Sequence, residues 1–198
     1  KDYPNVGNHP MRENPEWDQK KYNWNNYLQY IYKQIEELMT NYGKIDILWL
    51  DFSFDEYKGE KWNATKLVKM IRKHQPHILL NSRLDINPGN SEEGRDFSGY
   101  GDFETPEMGI PENGLKDIYN NTIPWETCLT LNNSWGYSAN DHEWKSAKLI
   151  IHSLVDAVSK YGNLLLNIGP DHQGNIPLQS KQILKKVGDW MRTNGESI

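Results

Sequence analysis

Carboxylates and aromatic rings dominate the positions in this sequence where chemistry could take place. Asp51 directly follows a short apolar run, and three further carboxylates lie close together later in the chain, at Asp102, Glu104 and Glu107. Two carboxyl groups can cleave a glycosidic bond without a metal, one as an ionised nucleophile and one as a protonated acid, when they stand roughly 5–5.5 Å apart. The sequence therefore predicts chemistry at a glycosidic bond, with no cofactor required.

The roles of these carboxylates follow from where they fall. Asp51 is the better candidate for the nucleophile, because the end of a strand would hold it rigidly. Arg83 follows a second apolar run, and its charge would keep a neighbouring carboxylate ionised. The proton donor must come from another element, and the three later carboxylates all stay open for that role. Structural explanations also exist, since Asp51 could be a turn residue and Arg83 an ion-pair partner with no catalytic part.

Composition and motifs exclude several other classes of function. The chain has 198 residues, with 22 Lys and Arg against 27 Asp and Glu, so its formal net charge is −5, which argues against a nucleic-acid partner. The single cysteine, Cys128, excludes an internal disulfide and a cysteine-based zinc site. The six histidines do not cluster at ligand spacing, so no metal site is predicted. No apolar run approaches about 18 residues, so no membrane span is predicted either. These features do not assign the protein to a cellular compartment.

Hydrophobic periodicity predicts alternating helices and strands that would position these residues. Helices are predicted over residues 23–42, 63–75, 142–160 and 177–195. Strands are predicted over residues 45–50, 77–81, 125–131 and 163–168. Residues 1–19 form a predicted lead-in and residues 83–124 a long polar loop, of the kind that often carries function. Asn63 is the predicted N-cap of the second helix, and the first strand is expected to be buried on both faces.

The alternation of strands and helices predicts an α/β fold with a parallel sheet. Four strands are too few to close an eight-stranded barrel, which usually needs roughly 250 residues. Either the chain is a small open α/β domain, or it is the second half of a (β/α)8 TIM-like barrel, with parallel strands and outer helices. The polar start at Lys1 favours the second interpretation. We therefore expect residues 1–198 to form one partial catalytic barrel domain whose earlier strands, and any C-terminal β-sandwich, lie outside this chain.

Six short motifs then occur in order at compatible spacing. They are YGKIDILWLD at 42–51, NSR at 81–83, GDFETPE at 101–107, PWETC at 124–128, SWGY at 134–137 and GNLLLNIGP at 162–170. Together they resemble the α-L-fucosidases of glycoside hydrolase family 29, over about residues 22–198. Any one of these motifs would be weak evidence, whereas six in series are specific.

The resemblance implies an exo-glycosidase that removes terminal α-linked L-fucose from oligosaccharides or glycoconjugates with retention. Asp51 matches the nucleophile of the family, Arg83 an active-site arginine, and Glu107 the acid/base. Because some members use an aspartate at the position of Asp102 as acid/base, Asp102 is the alternative to Glu107.

Aromatic residues would bind the sugar. Trp49 and Trp135 match positions that line the fucose pocket in the family, and Tyr137 follows in the same motif as Trp135. The same three rings could also form the platform of a non-catalytic carbohydrate-binding module, and another retaining barrel glycosidase is a further alternative. If the chain holds only half of a barrel, we expect it to fold poorly or self-associate alone, to lack useful turnover, and to need the upstream half as its partner.

Overall fold

The computed structural model describes residues 23–51, 53, 57–84 and 100–198. The predicted lead-in over residues 1–19 lies outside the described residues, as do residues 85–99 of the predicted loop. The chain divides into two compact units, residues 1–90 with 97–103 (unit 1) and residues 91–96 with 104–198 (unit 2). None of the helices in the described ranges has both the length and the hydropathy needed to cross a bilayer.

In the residues that the structure describes, unit 1 contains two α-helices and two short parallel strands. The helices are α1, Trp24–Asn41, and α2, Ala64–His74; the strands are β1, Ile47–Leu48, and β2, Leu79–Leu80. Ile47 pairs with Leu79 and Leu48 with Leu80, in parallel. Short 3-10 turns cover Gly59–Trp62 and Ser82–Leu84. Both strands are shorter than predicted, although each lies inside its predicted range.

Local sequence signals explain where α1 begins and ends. The Asn23 side chain accepts hydrogen bonds from the amides of the first helical turn and so caps the helix. Leu28, Ile35 and Met39 are its buried residues, and their spacing places them on one face. Gly43 follows with φ at 78°, a left-handed conformation that glycine adopts at low cost after a helix end.

The start of α2 differs from the prediction. Asn63 does precede the helix, but its backbone is left-handed, with φ 51° and ψ 46°, and its side chain makes no capping hydrogen bond. The carboxylate of Glu60 caps instead, because Oε1 accepts from the Thr65 amide at 3.0 Å. A carboxylate at this position also suits the positive end of the helix dipole.

The sheet of unit 1 is covered on one face. Leu80 and Ile78 are buried in a core formed with α1 and α2. Ile47 and Leu79 point to the opposite face and are each 48% exposed. The prediction that the first strand is buried on both faces is therefore wrong for the part of the chain that the structure describes, because α1 and α2 cover only one side.

Unit 2 has longer strands. They are β3, Trp125–Thr130, and β4, Gly162–Asn167, and its helices are α3, Ala147–Ser159, and α4, Leu178–Asn194. The strands pair in parallel over six positions, from Trp125 with Gly162 to Thr130 with Asn167. Both strand predictions agree with the structure to within one residue. The helix predicted from residue 142 begins later, because the Ser146 hydroxyl caps it by accepting from the Leu149 amide at 3.1 Å.

A further extended segment lies inside the region predicted as a loop. In unit 1, Phe103 forms a parallel bridge with Asn81; in unit 2, Glu104 and Glu107 form parallel bridges with β3. Pro106 does not interrupt this pairing, since only its carbonyl is used, as acceptor for the Cys128 amide at 3.2 Å. The loop prediction is wrong here because polar residues and a proline hid a strand-like segment.

Trp125 anchors β3 at its start. Its ring is 2% exposed, and its Nε1 donates to the Lys160 carbonyl at 3.1 Å. A side chain added at the paired residue Gly162 would overlap this indole ring. The glycine is therefore required by the close approach of the tryptophan rather than by its backbone conformation.

We predict that Gly162→Ala destabilises the fold by about 1–3 kcal/mol, because an added methyl group would displace the Trp125 ring. Gly188→Ala is the matched control: it lies within α4, and apart from its chain neighbours and the backbone of its own helix no atom stands within 4 Å of an added Cβ. That change is expected to be neutral or to stabilise by about 0.5–1 kcal/mol. Urea unfolding measures both, and equal effects of the two substitutions would contradict the prediction.

Candidate active site

Asp51 and Arg83 form an ion pair at the ends of β1 and β2. Arg83 Nη1 donates to Asp51 Oδ1 at 3.1 Å. The arginine side chain is only 3% exposed, whereas the aspartate side chain is 51% exposed. A buried guanidinium thus supports a carboxylate that remains open to an incoming molecule. Such a pairing fixes the orientation of the carboxylate.

Trp49 contacts the same arginine. The guanidinium carbon of Arg83 lies 4.6 Å from the centroid of the Trp49 ring, within the range of a cation–π interaction. The three residues Trp49, Asp51 and Arg83 therefore form one contiguous group in unit 1. The pocket-lining role expected for Trp49 stays a prediction, and its support of Arg83 is an additional role.

Asn81 binds the residue that precedes Asp51. Its side chain is fully buried. Oδ1 accepts from the Leu50 amide at 2.8 Å, and Nδ2 donates to the Leu50 carbonyl at 2.9 Å. One side-chain amide therefore satisfies both backbone groups of Leu50 and holds the chain directly before the carboxylate.

Asp102, the alternative acid/base, is engaged in a different set of contacts. Arg72 Nη2 donates to both of its carboxylate oxygens, at 2.7 and 2.9 Å. Oδ2 also accepts from the Leu80 amide at 2.8 Å, and the amide of Asp102 donates to the Leu80 carbonyl at 2.7 Å. Arg72 in turn reaches the Ile78 carbonyl at 3.2 Å. These contacts connect α2, β2 and the segment after residue 100.

Glu107 lies in unit 2, beside β3. It is partly buried and forms a bridge with Cys128. The next residue, Met108, has φ at 58°, an uncommon conformation for a residue with a side chain. Its amide donates to the Cys128 carbonyl at 3.0 Å, which keeps the turn in place. Strain of this kind tends to occur where a functional group must be held in position.

Trp135 and Tyr137 lie on the loop that follows β3. They are 41% and 51% exposed. Asn167, at the end of β4, donates to the Trp135 carbonyl at 2.6 Å. Gly169 has φ at 47°, and an added Cβ would come within 3.2 Å of that carbonyl. The end of β4 thus holds the backbone of the loop while the two rings remain accessible.

Asp141 orders the same loop. Its carboxylate accepts from the Ser134 hydroxyl at 2.7 Å, the Asn133 amide at 2.9 Å and the Glu143 amide at 3.2 Å. The hydrogen bond from Ser134, followed by those from Glu143 and Asn133, holds the pKa of Asp141 below its ordinary value. The loop that carries Trp135 is therefore connected to an ionised carboxylate.

The structure groups the predicted site residues by unit. Trp49, Asp51 and Arg83 come together in unit 1, and Asp102 lies in the same unit but pairs with Arg72. Glu107, Trp135 and Tyr137 belong to unit 2. Across the described ranges, no group of three or more His, Cys, Asp or Glu residues is placed to hold a metal ion.

Sequence reasoning gave no role to three residues that hold the site. Asn81, Asp141 and Asn167 each bind backbone next to a predicted site residue or within its loop. In the sequence these residues are recognisable only as an amide or a carboxylate at the end of an apolar run or inside a polar loop. Such a position does not predict which backbone groups the side chain will bind.

We predict that Ser134→Ala raises the pKa of Asp141 toward its ordinary value, because the hydroxyl is the strongest cause of the lowering. A carboxyl with a lowered pKa stabilises the folded state at pH values above its unfolded pKa, and this contribution is lost as the pH falls through the folded pKa. The variant should therefore lose the loop contacts at a higher pH than the wild type. NMR titration of the Asp141 carboxyl carbon measures the shift.

Asp171 is the internal control, because its lowered pKa depends first on the Asn175 amide and not on Ser134. It should titrate identically in both proteins. An unchanged titration of Asp141 in Ser134→Ala would contradict the prediction.

Comparison with known proteins identifies relatives of this chain. The family model described as alpha-L-fucosidase matches residues 6–196. The plasma alpha-L-fucosidase of Homo sapiens is 29% identical over 178 residues, covering 83% of this chain and 33% of that protein. An alpha-L-fucosidase of Dictyostelium discoideum is 27% identical over 168 residues, covering 84% of this chain and 34% of that protein. The chain thus spans about a third of the length of these curated relatives.

Solved structures agree. Alpha-L-fucosidase isoenzyme 1 from Paenibacillus thiaminolyticus superposes with a TM-score of 0.90 and 47% identity, covering 100% of this chain and 47% of that protein. The alpha-L-fucosidase AlfC from Lactobacillus casei, in complex with its alpha-L-fucose product, gives a TM-score of 0.70 and 26% identity, covering 90% and 50%. The match over nearly all of the sequence, together with these structural likenesses, shows that the chain belongs to the α-L-fucosidase family.

Proposed function

We propose that this chain is the second half of the (β/α)8 catalytic barrel of a retaining exo-α-L-fucosidase. The enzyme releases terminal α-linked L-fucose from oligosaccharides or glycoconjugates. The observation that carries this proposal is the buried Arg83 guanidinium paired with the half-exposed Asp51 carboxylate. A carboxylate that is both oriented and accessible is what a glycosidase nucleophile requires. The family match and the fucose-bound relative from L. casei support the choice of sugar.

In the first step, Asp51 attacks the anomeric carbon of fucose. The bond between that carbon and the leaving oxygen breaks, and Glu107 gives its proton to this oxygen, so the aglycone departs as a neutral alcohol. Arg83 keeps the attacking carboxylate oriented until the new bond forms. Asp51 then carries fucose as a glycosyl ester.

In the second step, Glu107 is a carboxylate and acts as a base. It takes a proton from water while the water oxygen attacks the anomeric carbon, and the ester bond to Asp51 breaks. Fucose leaves with its original anomeric configuration, and both carboxyl groups return to their starting states. The mechanism requires the two carboxyl groups to stand roughly 5–5.5 Å apart in the working enzyme.

The environments of the two candidates favour Glu107 as acid/base over Asp102. Arg72 and the Leu80 amide already donate to the Asp102 oxygens. Both oxygens of this carboxylate already accept from a guanidinium or a backbone amide, so its geometry is committed to contacts within unit 1. Glu107 is partly buried next to the strained residue Met108. Asp102 is therefore assigned a structural role.

Exposed aromatic rings supply the sugar-binding surface of the proposal. Trp135 and Tyr137 are accessible, and apolar ring faces suit the C–H faces of a sugar. Trp135 is proposed to pack near the C6 methyl group of fucose. A non-catalytic carbohydrate-binding module would use the same rings, but it would have no need for the ion pair between Asp51 and Arg83.

Strand side chains in both units support a partner that completes the barrel. Ile47 and Leu79 are each 48% exposed, and Leu165 in β4 is 43% exposed. Apolar side chains of this size on strands are normally covered in parallel α/β folds. We propose that the remaining half of the barrel covers them, and that the chain alone is poorly folded or self-associated and lacks useful turnover.

Complementation tests this function. We expect the chain alone to hydrolyse 4-nitrophenyl α-L-fucoside weakly or not at all. Co-expression with the part of the P. thiaminolyticus relative that this chain does not match should restore turnover. Asp51→Asn in the restored enzyme should lower kcat by about 10³-fold or more, because no nucleophile remains, while fucose binding persists.

Three outcomes would contradict this proposal. Full activity of the chain alone would overturn the half-barrel assignment. Turnover unaffected by Asp51→Asn would overturn the nucleophile. Activity on other aryl glycosides but not on fucosides would assign the site to a different retaining glycosidase.

We predict different responses from Glu107→Gln and Asp102→Asn in the restored enzyme. Glu107→Gln should lower kcat on a poor leaving group by about 10²–10⁴-fold, with a smaller loss on a dinitrophenyl fucoside, which departs without a proton. Added azide should rescue this variant and give α-L-fucosyl azide, since azide attacks the glycosyl ester without a base.

Asp102→Asn serves as the comparison, because it weakens the contact with Arg72 without removing an acid. We expect a lower unfolding midpoint and no azide product from it. Azide rescue of Asp102→Asn, but not of Glu107→Gln, would assign the acid/base role to Asp102 and the structural role to Glu107.

A further inference from the structure

We propose that Asn81 is a positioning residue that sets the distance and orientation between Asp51 and Arg83. This inference rests on the proposed function, since it concerns the nucleophile of the same reaction. Asn81 touches neither carboxylate nor guanidinium in the hydrogen bonds described above. It acts through Leu50 on one side and through its own backbone on the other.

The ladder between β1 and β2 ends before the nucleophile is reached. The last regular pair is Leu48 with Leu80. One residue further along β2, the backbone of Asn81 bridges Phe103. The chain then enters the 3-10 turn Ser82–Leu84. The backbone of β2 thus turns away at the point where the chain leading to Asp51 still needs a partner.

The side chain of Asn81 takes the place of the next backbone pair in the strand ladder. Its carbonyl oxygen and its amide nitrogen bind the Leu50 amide and carbonyl, at 2.8 and 2.9 Å. These two bonds reproduce the donor and acceptor pattern of a strand pair. The planar amide of Asn81 therefore fixes both the N–H and the C=O group of Leu50. Because that carbonyl belongs to the peptide bond with Asp51, the backbone of Asp51 is fixed as well.

The same residue fixes the other member of the ion pair. Arg83 lies two residues after Asn81, in a turn where Ser82, Arg83 and Leu84 are all buried. A side chain at Gly101 would overlap the backbone of Ser82, so the chain packs against this turn at backbone distance. Arg83 therefore has little freedom to follow Asp51 if the latter moves. The 3.1 Å contact between them depends on the Asn81 link to Leu50.

The substitution Asn81→Asp replaces one hydrogen-bond donor and hardly alters the volume of the side chain. The amide nitrogen that donates to the Leu50 carbonyl becomes an oxygen, and in the ionised carboxyl two acceptors face each other across a hydrogen-bond distance. Leu50 must shift, and Asp51 shifts with it. Asn81→Ser is the second variant: it removes both bonds without adding charge and leaves room for a water molecule to replace them.

Gln75 provides a matched control. It is also a buried side-chain amide of unit 1, and its Nε2 donates to the Met39 and Gly43 carbonyls, both at 2.8 Å. It binds backbone ahead of β1, at the end opposite to Asp51. Gln75→Glu therefore makes the same exchange of amide for carboxylate at a site that serves only the fold.

The experiment measures nucleophile positioning separately from binding, in the preparation that is active in the complementation assay. The probe is 2-deoxy-2-fluoro-α-L-fucosyl fluoride: Asp51 forms a bond to the anomeric carbon, the carbon–fluorine bond breaks, and fluoride leaves without needing a proton. Intact-mass spectrometry follows the labelled enzyme, and calorimetry gives the Kd for L-fucose. Rates are normalised to fucose-binding sites, which removes the effect of unfolded protein.

For Asn81→Asp and Asn81→Ser we expect labelling about 10²-fold slower than wild type, with Kd for fucose changed by less than about threefold, because a small misplacement of a reacting atom costs this much in rate. Gln75→Glu should label at the wild-type rate per binding site, even where it unfolds more easily.

The outcomes separate this inference from the function on which it rests. If the wild type labels on Asp51 and both Asn81 variants label equally fast, the positioning role is wrong and the fucosidase stands. If neither variant binds fucose while Gln75→Glu does, Asn81 serves the fold alone and the inference is again overturned. If the wild type neither labels nor turns over, the proposed function fails and this inference fails with it.

Discussion

The contact between the buried guanidinium of Arg83 and the open carboxylate of Asp51 is the interaction on which the arrangement of unit 1 depends. A charge that is almost fully removed from water is costly unless it is paired and its donors are satisfied. Trp49 covers one face of the guanidinium, and Asp51 accepts from its edge. The cost of burial is thus offset by contacts that point toward the strand ends, where reactive groups gather in parallel α/β folds.

Holding this pair requires more than the sheet itself supplies. The ladder between β1 and β2 consists of two pairs only, which gives little rigidity to the residues beyond it. Side-chain amides extend this ladder at both ends, but only the amide that follows β1 lies next to the ion pair. Gln75 binds the backbone before β1, and Asn81 binds Leu50 after it. Each amide has a donor and an acceptor in a fixed plane, so it can replace a peptide group in a ladder. Buried side-chain amides therefore supply backbone hydrogen bonds that the short strands do not provide.

Hydrophobic patterns determined much of this fold in advance, and their failures have identifiable causes. The apolar runs around β1 to β4 located every regular strand of the described residues, and Asp51 and Arg83 followed from the strand ends. The patterns missed the extended segment at residues 103–107, since polar residues and Pro106 hide a segment that pairs through its carbonyls. They also assigned the cap of α2 to Asn63, where Glu60 performs this role from outside the helix. Side-chain contacts between residues distant in sequence, such as Asn81 with Leu50, have no periodic signature at all.

Asp102 and Glu107, two of the carboxylates in the segment after residue 100, lie in different surroundings although they are close in sequence. Asp102 accepts from a bidentate arginine and from a backbone amide of β2, so its geometry serves to join elements. Glu107 stands five residues later, beside β3, and is followed by a methionine in a left-handed conformation. The Met108 amide donates to the Cys128 carbonyl, and this hydrogen bond stabilises the left-handed conformation. The turn therefore fixes the backbone directly after Glu107 and ties it to β3.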